Sequence, residues 1–218
     1  MKNDHGSIYK LKTNVNGVPF AVYTAHLDYL NCAYYLPREY DGNTWDKLKK
    51  QIVDKKKIEK MNSASRRDDA ILNFIADANL EFETGTTILL GGDFNEPSHM
   101  DWTEETKDLF DHNGLVFDWK VTSLLAENGY VDSYREKYPS VIKNPGFTYP
   151  SYNKDKSIQN LTWAPSSDER ERIDFIFYKT SGALSFQSVK IVGPKASIKK
   201  SKMIIENTDD VFIEPLGV

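Results

Sequence analysis

Two short polar segments, each following an apolar run, carry residue types suited to hydrolytic chemistry. In the first, Gly91-Gly92-Asp93-Phe94-Asn95 ends the apolar run 88–90. Side chains two residues apart share one face of an extended chain, so Asp93 and Asn95 are predicted to converge beyond the strand. A carboxylate there accepts a proton from water, and a carboxamide donates to a phosphoryl oxygen or binds a hard cation. The alternative is an Asx turn, in which both side chains only satisfy nearby backbone groups.

The second segment, residues 23–29, ends an apolar strand with His26 and Asp28 on one face. An imidazole at this position can bind a phosphate oxygen or act as an acid. A lone histidine that is simply packed or solvated is the alternative. The pattern alone therefore leaves a catalytic role for His26 open.

A third candidate, Asp174, lies inside the apolar run 173–178. Burying an unpaired charge costs several kcal/mol, so this carboxylate needs a partner. The structural explanation is an ion pair with Arg172, which lies two residues earlier on the same face. The functional explanation is that Asp174 orients a catalytic imidazole.

The elements that position these residues are predicted from the alternation of sequence patterns, which indicates the α/β class. Strands rich in β-branched and aromatic residues are predicted at 17–26, 87–90 and 172–178. Apolar residues recur at helical spacing from residue 70 and again over 121–127, where Gly129 follows as a C-cap. No repeat or Pro/Gly/Ser-rich linker divides the chain, so one domain is predicted over residues 1–218.

A lysine-rich insertion is predicted between the first strand and the first helix, at about residues 37–62. A charge run of this kind usually forms a solvated surface, and a substrate-facing lid is the alternative. The lysines are Lys47, Lys49, Lys50, Lys55, Lys56, Lys57 and Lys60.

Composition restricts the classes of function. The 218 residues contain 28 Lys and Arg against 32 Asp and Glu, and a net charge of −4 does not favour nucleic acid as a general partner. A basic segment remains at residues 190–202, as either a phosphate-binding or a solvated segment. Cys32 is the single cysteine, which excludes intrachain disulfides and cysteine-cluster metal sites. The apolar runs are too short to predict a membrane span, and residues 1–6 show no secretory signal, so the compartment stays open.

Taken together, the motifs resemble the endonuclease/exonuclease/phosphatase superfamily of DNase-I-like, metal-dependent phosphoesterases. The resemblance covers about residues 17–178. The matching segments, in the family's order, are Ala25-His26-Leu27, Gly91-Gly92-Asp93-Phe94-Asn95, Gly129-Tyr130-Val131-Asp132-Ser133-Tyr134-Arg135, Gly146-Phe147-Thr148-Tyr149 and Arg172-Ile173-Asp174-Phe175-Ile176.

The resemblance implies a role for each site residue in hydrolysis of a phosphate-ester substrate. Asp93 would position or deprotonate the attacking water, and Asn95 would contact phosphate and metal. His26 would stabilise the transition state, and Asp174 would orient a second histidine. Mg²⁺ or Mn²⁺ would be the cofactor, with Asp93 and Asn95 as the metal ligands within the chain. The candidate substrate-binding residues are Trp163 and Arg172, although a tryptophan in a loop is more often packing.

The match departs from the family's pattern at both ends. The family carries an asparagine and a metal-binding glutamate on early strands, whereas the first glutamate here, Glu39, follows His26. The family ends with a Ser-Asp-His triplet, whereas no histidine follows His112. The expected fold is therefore a DNase-I-like four-layer α/β sandwich lacking the N-terminal strands and the last strand.

Such a truncation has functional and physical consequences. We expect weak or absent activity from this chain, and the alternative is a non-catalytic binding or interaction module that retained the fold. Removing strands from a two-sheet sandwich should uncover a sheet edge and an apolar face. Self-association through that exposed sheet, or local disorder, is therefore expected.

Overall fold

The main architectural element is a mixed sheet of five strands, β1 to β5. A computed structural model describes residues 8–182, 187–193, 196–205 and 212–213. The strands are β1 (Ile8–Val15), β2 (Val18–His26), β3 (Thr87–Asp93), β4 (Val131–Asp132) and β5 (Asp174–Lys179). Their order across the sheet is β1-β2-β3-β5-β4, with β2 and β3 parallel and the other neighbours antiparallel. The predicted α/β class is confirmed.

Helices and small strand pairs complete the described fold. The helices are α1 (Lys55–Asn62), α2 (Arg67–Glu83), α3 (Lys120–Glu127) and α4 (Ser133–Lys137), with 3-10 turns at Ala33–Arg38 and Ile158–Asn160. β6 (Ile191–Val192) pairs with β9 (Phe212–Ile213), and β7 (Ala196–Lys199) pairs with β8 (Lys202–Ile205). None of the described helices is both long and apolar enough to cross a membrane.

The strand predicted at residues 17–26 is confirmed as β2, and a further strand that was not predicted, β1, precedes it. β1 joins β2 in an antiparallel hairpin through the turn at Asn16-Gly17. Only Ile8 of this strand is buried, and Lys10 and Lys12 form ion pairs with Glu81 of α2. Lysines and exposed side chains are typical of an edge strand, and they conceal β1 from a reading based on apolar composition.

The core lies between one face of the sheet and two helices. Tyr23 of β2 meets Phe74 of α2 edge-on, with ring centroids 4.8 Å apart, and Phe94 contacts Phe175 of β5 at 5.0 Å. Burying an aromatic or aliphatic side chain of this kind stabilises a fold by about 1.5–3 kcal/mol. This packing fixes the strand ends on which the candidate site residues lie. The helical contributions are Ala70, Ile71, Phe74, Ile75 and Ala78 from α2 and Val121, Leu124 and Leu125 from α3.

The opposite face of the sheet is largely open to solvent. Tyr9, Leu11 and Ile176 lie on it and are 67%, 64% and 57% exposed. The strand register places Tyr9 beside Thr24 and Ile176 beside Gly91, so these side chains share one face. The expected exposure of apolar sheet residues is thus present, and association through this face stays a prediction.

The lysine-rich segment at residues 37–62 packs against the body of the protein. Its Tyr40 and Ile58 are buried in a second apolar cluster with Trp102 and Trp119. The lysines of the segment are all exposed, which fits both the predicted solvated surface and the alternative of a substrate-facing lid. The segment is therefore fixed by its apolar residues and presents its charges outward.

Candidate functional site

Three of the predicted site residues form a row across neighbouring strands. In the register of the sheet, His26 at the end of β2 lies beside Asp93 at the end of β3, and Asp93 lies beside Asp174 at the start of β5. The His26 Nε2 to Asp93 Oδ2 distance is 3.9 Å. The His26 side chain is 73% exposed, so solvent and substrate have access to the imidazole.

Close backbone approach explains the second of the two glycines before Asp93. A Cβ atom on Gly92 would lie 1.9 Å from the carbonyl oxygen of Ala25, and Gly92 has a φ of 143°. Only glycine therefore fits between the ends of β2 and β3. Backbone hydrogen bonds continue past the strands, from Leu27 N–H to the Asp93 carbonyl at 2.9 Å and from Phe94 N–H to the Ile173 carbonyl at 2.8 Å.

Asn95 reaches the site in a different conformation from the predicted extended one. Its φ is 50°, in the left-handed region that asparagine tolerates better than most residues. Its backbone N–H donates to Asp93 Oδ1 at 2.8 Å, so the Asx turn offered as an alternative is present. Its side-chain Nδ2 donates to the Leu27 carbonyl at 2.9 Å. The turn thus fixes Asn95 beside Asp93 by tying it to the end of β2.

Asp93 has the electrostatic character of a group poised to accept a proton. Desolvation raises its pKa, and the neighbouring negative charge of Asp174 raises it further, to about 6. The N–H donated by Asn95 and the nearby His26 act in the opposite direction. A carboxylate with this pKa is ionised at neutral pH and is more basic than an ordinary aspartate.

Asp174 is exposed, although the apolar run around it predicted burial. The hydroxyl oxygen of Thr148 accepts the backbone N–H groups of Ile173 and Asp174, each at 3.1 Å. Desolvation raises the pKa of Asp174, while a hydrogen bond from Thr148 and the charge of His26 lower it.

The second histidine that Asp174 was expected to orient is not found among the described residues. His99 Nδ1 lies 2.8 Å from Thr122 Oγ1, and His112 is buried beside Glu171. Within the described part of the chain, His26 is therefore the histidine that Asp174 influences.

The pairing of Arg172 with Asp174, offered as the structural alternative, is not observed, because Arg172 pairs with other carboxylates. Arg172 is buried and binds Asp101 Oδ2 at 2.9 Å and Asp132 Oδ2 at 2.6 Å. Although burial alone would raise the pKa of Asp101, the guanidinium groups of Arg172 and Arg135 lower it. Arg172 also lines a cavity of about 490 Å³ that includes Asp174, but two carboxylates already occupy its guanidinium group. Its observed contacts are those of a residue that ties loops together.

Trp163 lies beside the row of His26, Asp93 and Asp174, and its role in substrate binding stays a prediction. It shares a cavity of about 200 Å³ with His26, Asp93 and Asn95. Aromatic side chains form most of the remaining lining, namely Tyr29, Tyr34, Tyr35, Trp45 and Tyr149. Cys32 also lines the cavity, but burial raises its thiol pKa to about 11, so this thiol is not suited to act as a nucleophile.

Sequence reasoning missed three residues that build the site. Thr148 belongs to the segment 146–149, whose sequence gives no sign of its hydroxyl contact at the start of β5. Trp45 lies in the segment predicted as a charged insertion. No sequence pattern indicates a role for Glu169 at the site. The buried Glu169 carboxylate accepts backbone N–H groups of Trp163 and Ala164, which positions the tryptophan.

A preformed metal cage is not found in the described residues, since no group of three or more His, Cys, Asp or Glu side chains could hold an ion. The oxygen donors at the site are the carboxylates of Asp93 and Asp174 and the carboxamide of Asn95. Mg²⁺ typically uses one or two carboxylates together with water and substrate phosphate. This donor set fits that open kind of binding and does not fit a closed site.

Comparison with known proteins finds a relative over part of the chain, and the name of that relative states no function. No family model matches the chain. A stretch of 92 residues is 44% identical to "Uncharacterized protein F14F9.5" of Caenorhabditis elegans. The match covers 42% of this chain, which thus spans 28% of the length of the worm protein.

Proposed function

We propose that the chain carries the site of a metal-dependent phosphoesterase of the endonuclease/exonuclease/phosphatase superfamily. The observation that carries the proposal is the row of His26, Asp93 and Asp174 on adjacent strand ends, with the pKa of Asp93 raised to about 6. Asn95 joins this row through hydrogen bonds to both neighbouring strand ends.

The sheet supports the finer fold proposal, a DNase-I-like four-layer sandwich of which this chain holds a part. Helices α2 and α3 pack on one face, and the other face exposes apolar side chains. A two-sheet sandwich would bury that second face against another sheet.

In the proposed reaction, Asp93 accepts the proton of the attacking water. Its position at the exposed strand end, with a side chain 33% exposed, leaves room for that water. The N–H groups of the His26 imidazole and the Asn95 carboxamide are suited to bind phosphoryl oxygens as negative charge develops. Asp174 acts through its charge, which raises the basicity of Asp93.

Mg²⁺ or Mn²⁺ would be held by Asp93, with Asn95 as a further oxygen donor. When bound, such an ion neutralises phosphate charge and assists departure of the leaving oxygen. The neighbouring carboxylate of Asp174 adds negative potential, which favours a cation at this strand end.

A non-catalytic binding module is the second candidate. The absence of a three-ligand cluster among the described residues favours it, because a phosphate-binding site does not need a tightly held metal. His26 and Asn95 would then bind phosphate oxygens without turnover.

Hydrolysis of bis(4-nitrophenyl) phosphate and 4-nitrophenyl phosphate with Mg²⁺ or Mn²⁺ tests the proposal. We expect slow hydrolysis that chelation and Asp93→Ala abolish, and a rate that falls in acid because Asp93 must be ionised. Asp155→Asn, an exposed carboxylate in a loop, is the matched control. Activity that survives in Asp93→Ala contradicts the proposal, and phosphate-ester binding without any turnover favours the binding module.

A further inference from the structure

Arg67, the first residue of α2, lies buried between the loop after β2 (residues 27–31) and the turn after β3 (residues 94–96). Its side chain is 0% exposed. The start of a helix is an unfavourable place for a cation, because the macrodipole favours negative charge there. Asp68 and Asp69, which follow directly, meet that preference. The contacts of the Arg67 guanidinium group, rather than the stability of α2, therefore explain a cation at this position.

Every N–H group of the Arg67 guanidinium has an acceptor. Nε donates to Glu96 Oε2 at 3.3 Å, and one Nη2 hydrogen goes to Asn62 Oδ1 at 2.9 Å. The other three hydrogens bind main-chain carbonyls of the loop after β2, namely those of Asp28 at 2.9 Å, Leu30 at 2.8 Å and Asn31 at 3.0 Å. A planar guanidinium group presents its donors in fixed directions, so it holds these acceptors in one arrangement.

Glu96 connects this arginine to the other strand end, because it directly follows Asn95 in the turn after β3. Its side chain is 1% exposed. Oε1 accepts the Val121 N–H at 2.7 Å, and Oε2 accepts a hydrogen of Asn62 Nδ2 at 2.8 Å. The two segments are also joined within the site, where the Asn95 carboxamide donates to the Leu27 carbonyl at 2.9 Å. A buried ion pair and a hydrogen bond in the site thus hold the same two segments.

We propose that Arg67 is a positioning residue: it fixes the spacing between the end of β2, which carries His26, and the turn that begins at Asp93. Donors bound to both segments limit their relative movement, and a displacement of about 1 Å can cost about 100-fold in rate. The inference rests on the proposed function and adds a residue that acts on the site without touching substrate. The alternative is that Arg67 only stabilises the fold.

Arg38 provides a matched control with the same chemistry. Its side chain is also 0% exposed, and it pairs with a buried glutamate, Glu171, at 2.6 Å. It donates to the main-chain carbonyls of Tyr34, Phe110 and Asp168. None of these partners belongs to the two segments that Arg67 joins. In both arginines, replacement by lysine keeps the charge opposite the glutamate, but a single amine cannot reach all the acceptors.

Hydrogen exchange followed by NMR, without metal or substrate, reports on the spacing of the strand ends. The Leu27 N–H donates to the Asp93 carbonyl at 2.9 Å, so its protection depends on that contact. In Arg67→Lys we expect the Leu27 amide to exchange about 2- to 10-fold faster relative to the slowest amides of β2 and β3, the range for one hydrogen bond. Arg38→Lys should lower the Leu27 protection no more than that of the slowest amides, because a global loss of stability affects those amides most.

Hydrolysis of bis(4-nitrophenyl) phosphate with Mg²⁺ is the second measurement. Misplaced groups that bind the phosphoryl oxygens lose contacts made in the transition state, so Arg67→Lys should lower kcat about 10- to 100-fold and change KM by less than about threefold. Arg38→Lys should keep kcat within about threefold of wild type. Glu96→Gln weakens the ion pair from its other end and should give the same two changes as Arg67→Lys. If Arg67→Lys does not fold, as judged by circular dichroism, Glu96→Gln carries the test.

Two results would overturn the inference: a relative loss of Leu27 protection in folded Arg67→Lys that is no larger than in Arg38→Lys, or equal losses of kcat in these two variants. A selective loss of Leu27 protection in a chain that hydrolyses no ester would support the positioning role and count against the proposed enzyme. Asp93-dependent hydrolysis that Arg67→Lys leaves unchanged would support the enzyme and overturn the inference.

Discussion

Replacement of Asp93 by asparagine should stabilise the fold at neutral pH while it removes the proposed base. The pKa of Asp93 is raised from 3.8 to about 6, chiefly by desolvation and then by Asp174. A raised carboxyl pKa means that the folded state favours the protonated form. The associated stability is present below pH 3.8 and is lost as the pH rises through about 6. An asparagine carries no charge and retains the oxygen that accepts the Asn95 N–H.

The magnitude follows from the two pKa values. Each pH unit is worth about 1.4 kcal/mol, so the ionised carboxylate lowers the free energy of unfolding by up to about 3 kcal/mol. The Asp93 side chain is 33% exposed, and solvent screening reduces this figure. We therefore expect Asp93→Asn to gain about 1–2 kcal/mol at about pH 8. The gain should shrink towards about pH 4, where the folded wild-type protein is protonated at this site.

Urea unfolding followed by tryptophan fluorescence at several pH values measures this gain. Asp155→Asn removes one charge from an exposed loop and serves as the control for the change in net charge. Carbon-detected NMR titration of the Asp93 carboxyl group gives its pKa directly. A gain that is equal at low and neutral pH, or a loss of stability at neutral pH, would refute the reasoning. The same result would remove the basis for Asp93 as a basic carboxylate.

Three further expectations concern stability. Gly92→Ala should melt at a much lower temperature than wild type because its Cβ atom would lie 1.9 Å from the Ala25 carbonyl oxygen, whereas Gly91→Ala, whose nearest contact is 3.4 Å, should be tolerated better. Burial lowers the pKa of His112, so on acidification the imidazole is protonated at a higher pH in the unfolded chain than in the folded protein. The free energy of unfolding should therefore decline as the pH falls below 6.5. Urea titrations should show a weaker pH dependence in His112→Phe. Arg172→Met leaves two buried carboxylates without their shared cation and should cost about 3–5 kcal/mol by chemical unfolding.

The sequence predicts the parts of the sheet whose side chains enter the core. β2 and β3 were predicted because burial selects β-branched, aliphatic and aromatic residues, and their register brings His26 beside Asp93. β1 escaped prediction because only Ile8 is buried, so an exposed edge strand lacks the apolar signal. Composition therefore predicts a strand whose side chains are buried, and it misses a strand that is hydrogen-bonded to its neighbour but exposed.

Contacts between distant segments were beyond the reach of sequence patterns. Arg172 has a carboxylate two residues away, at Asp174, yet it binds partners 71 and 40 positions away along the chain. Local spacing shows which side chains share a face, and it does not show which loops fold over that face. Asn95 is an intermediate case, because asparagine tolerates positive φ and the Asx turn was an open alternative.

The backbone hydrogen bonds that continue past the strand ends hold the predicted site residues independently of the cavity wall. Leu27 N–H to the Asp93 carbonyl and Phe94 N–H to the Ile173 carbonyl lock the ends of three strands to one another. The row of His26, Asp93 and Asp174 therefore depends on main-chain atoms, whereas the cavity wall depends on side chains such as Trp45 and Trp163. Loop substitutions can alter which molecule enters while the row keeps its geometry. Such a division allows relatives to diverge in ligand without rebuilding the site, and it makes the loops the natural positions for engineering specificity.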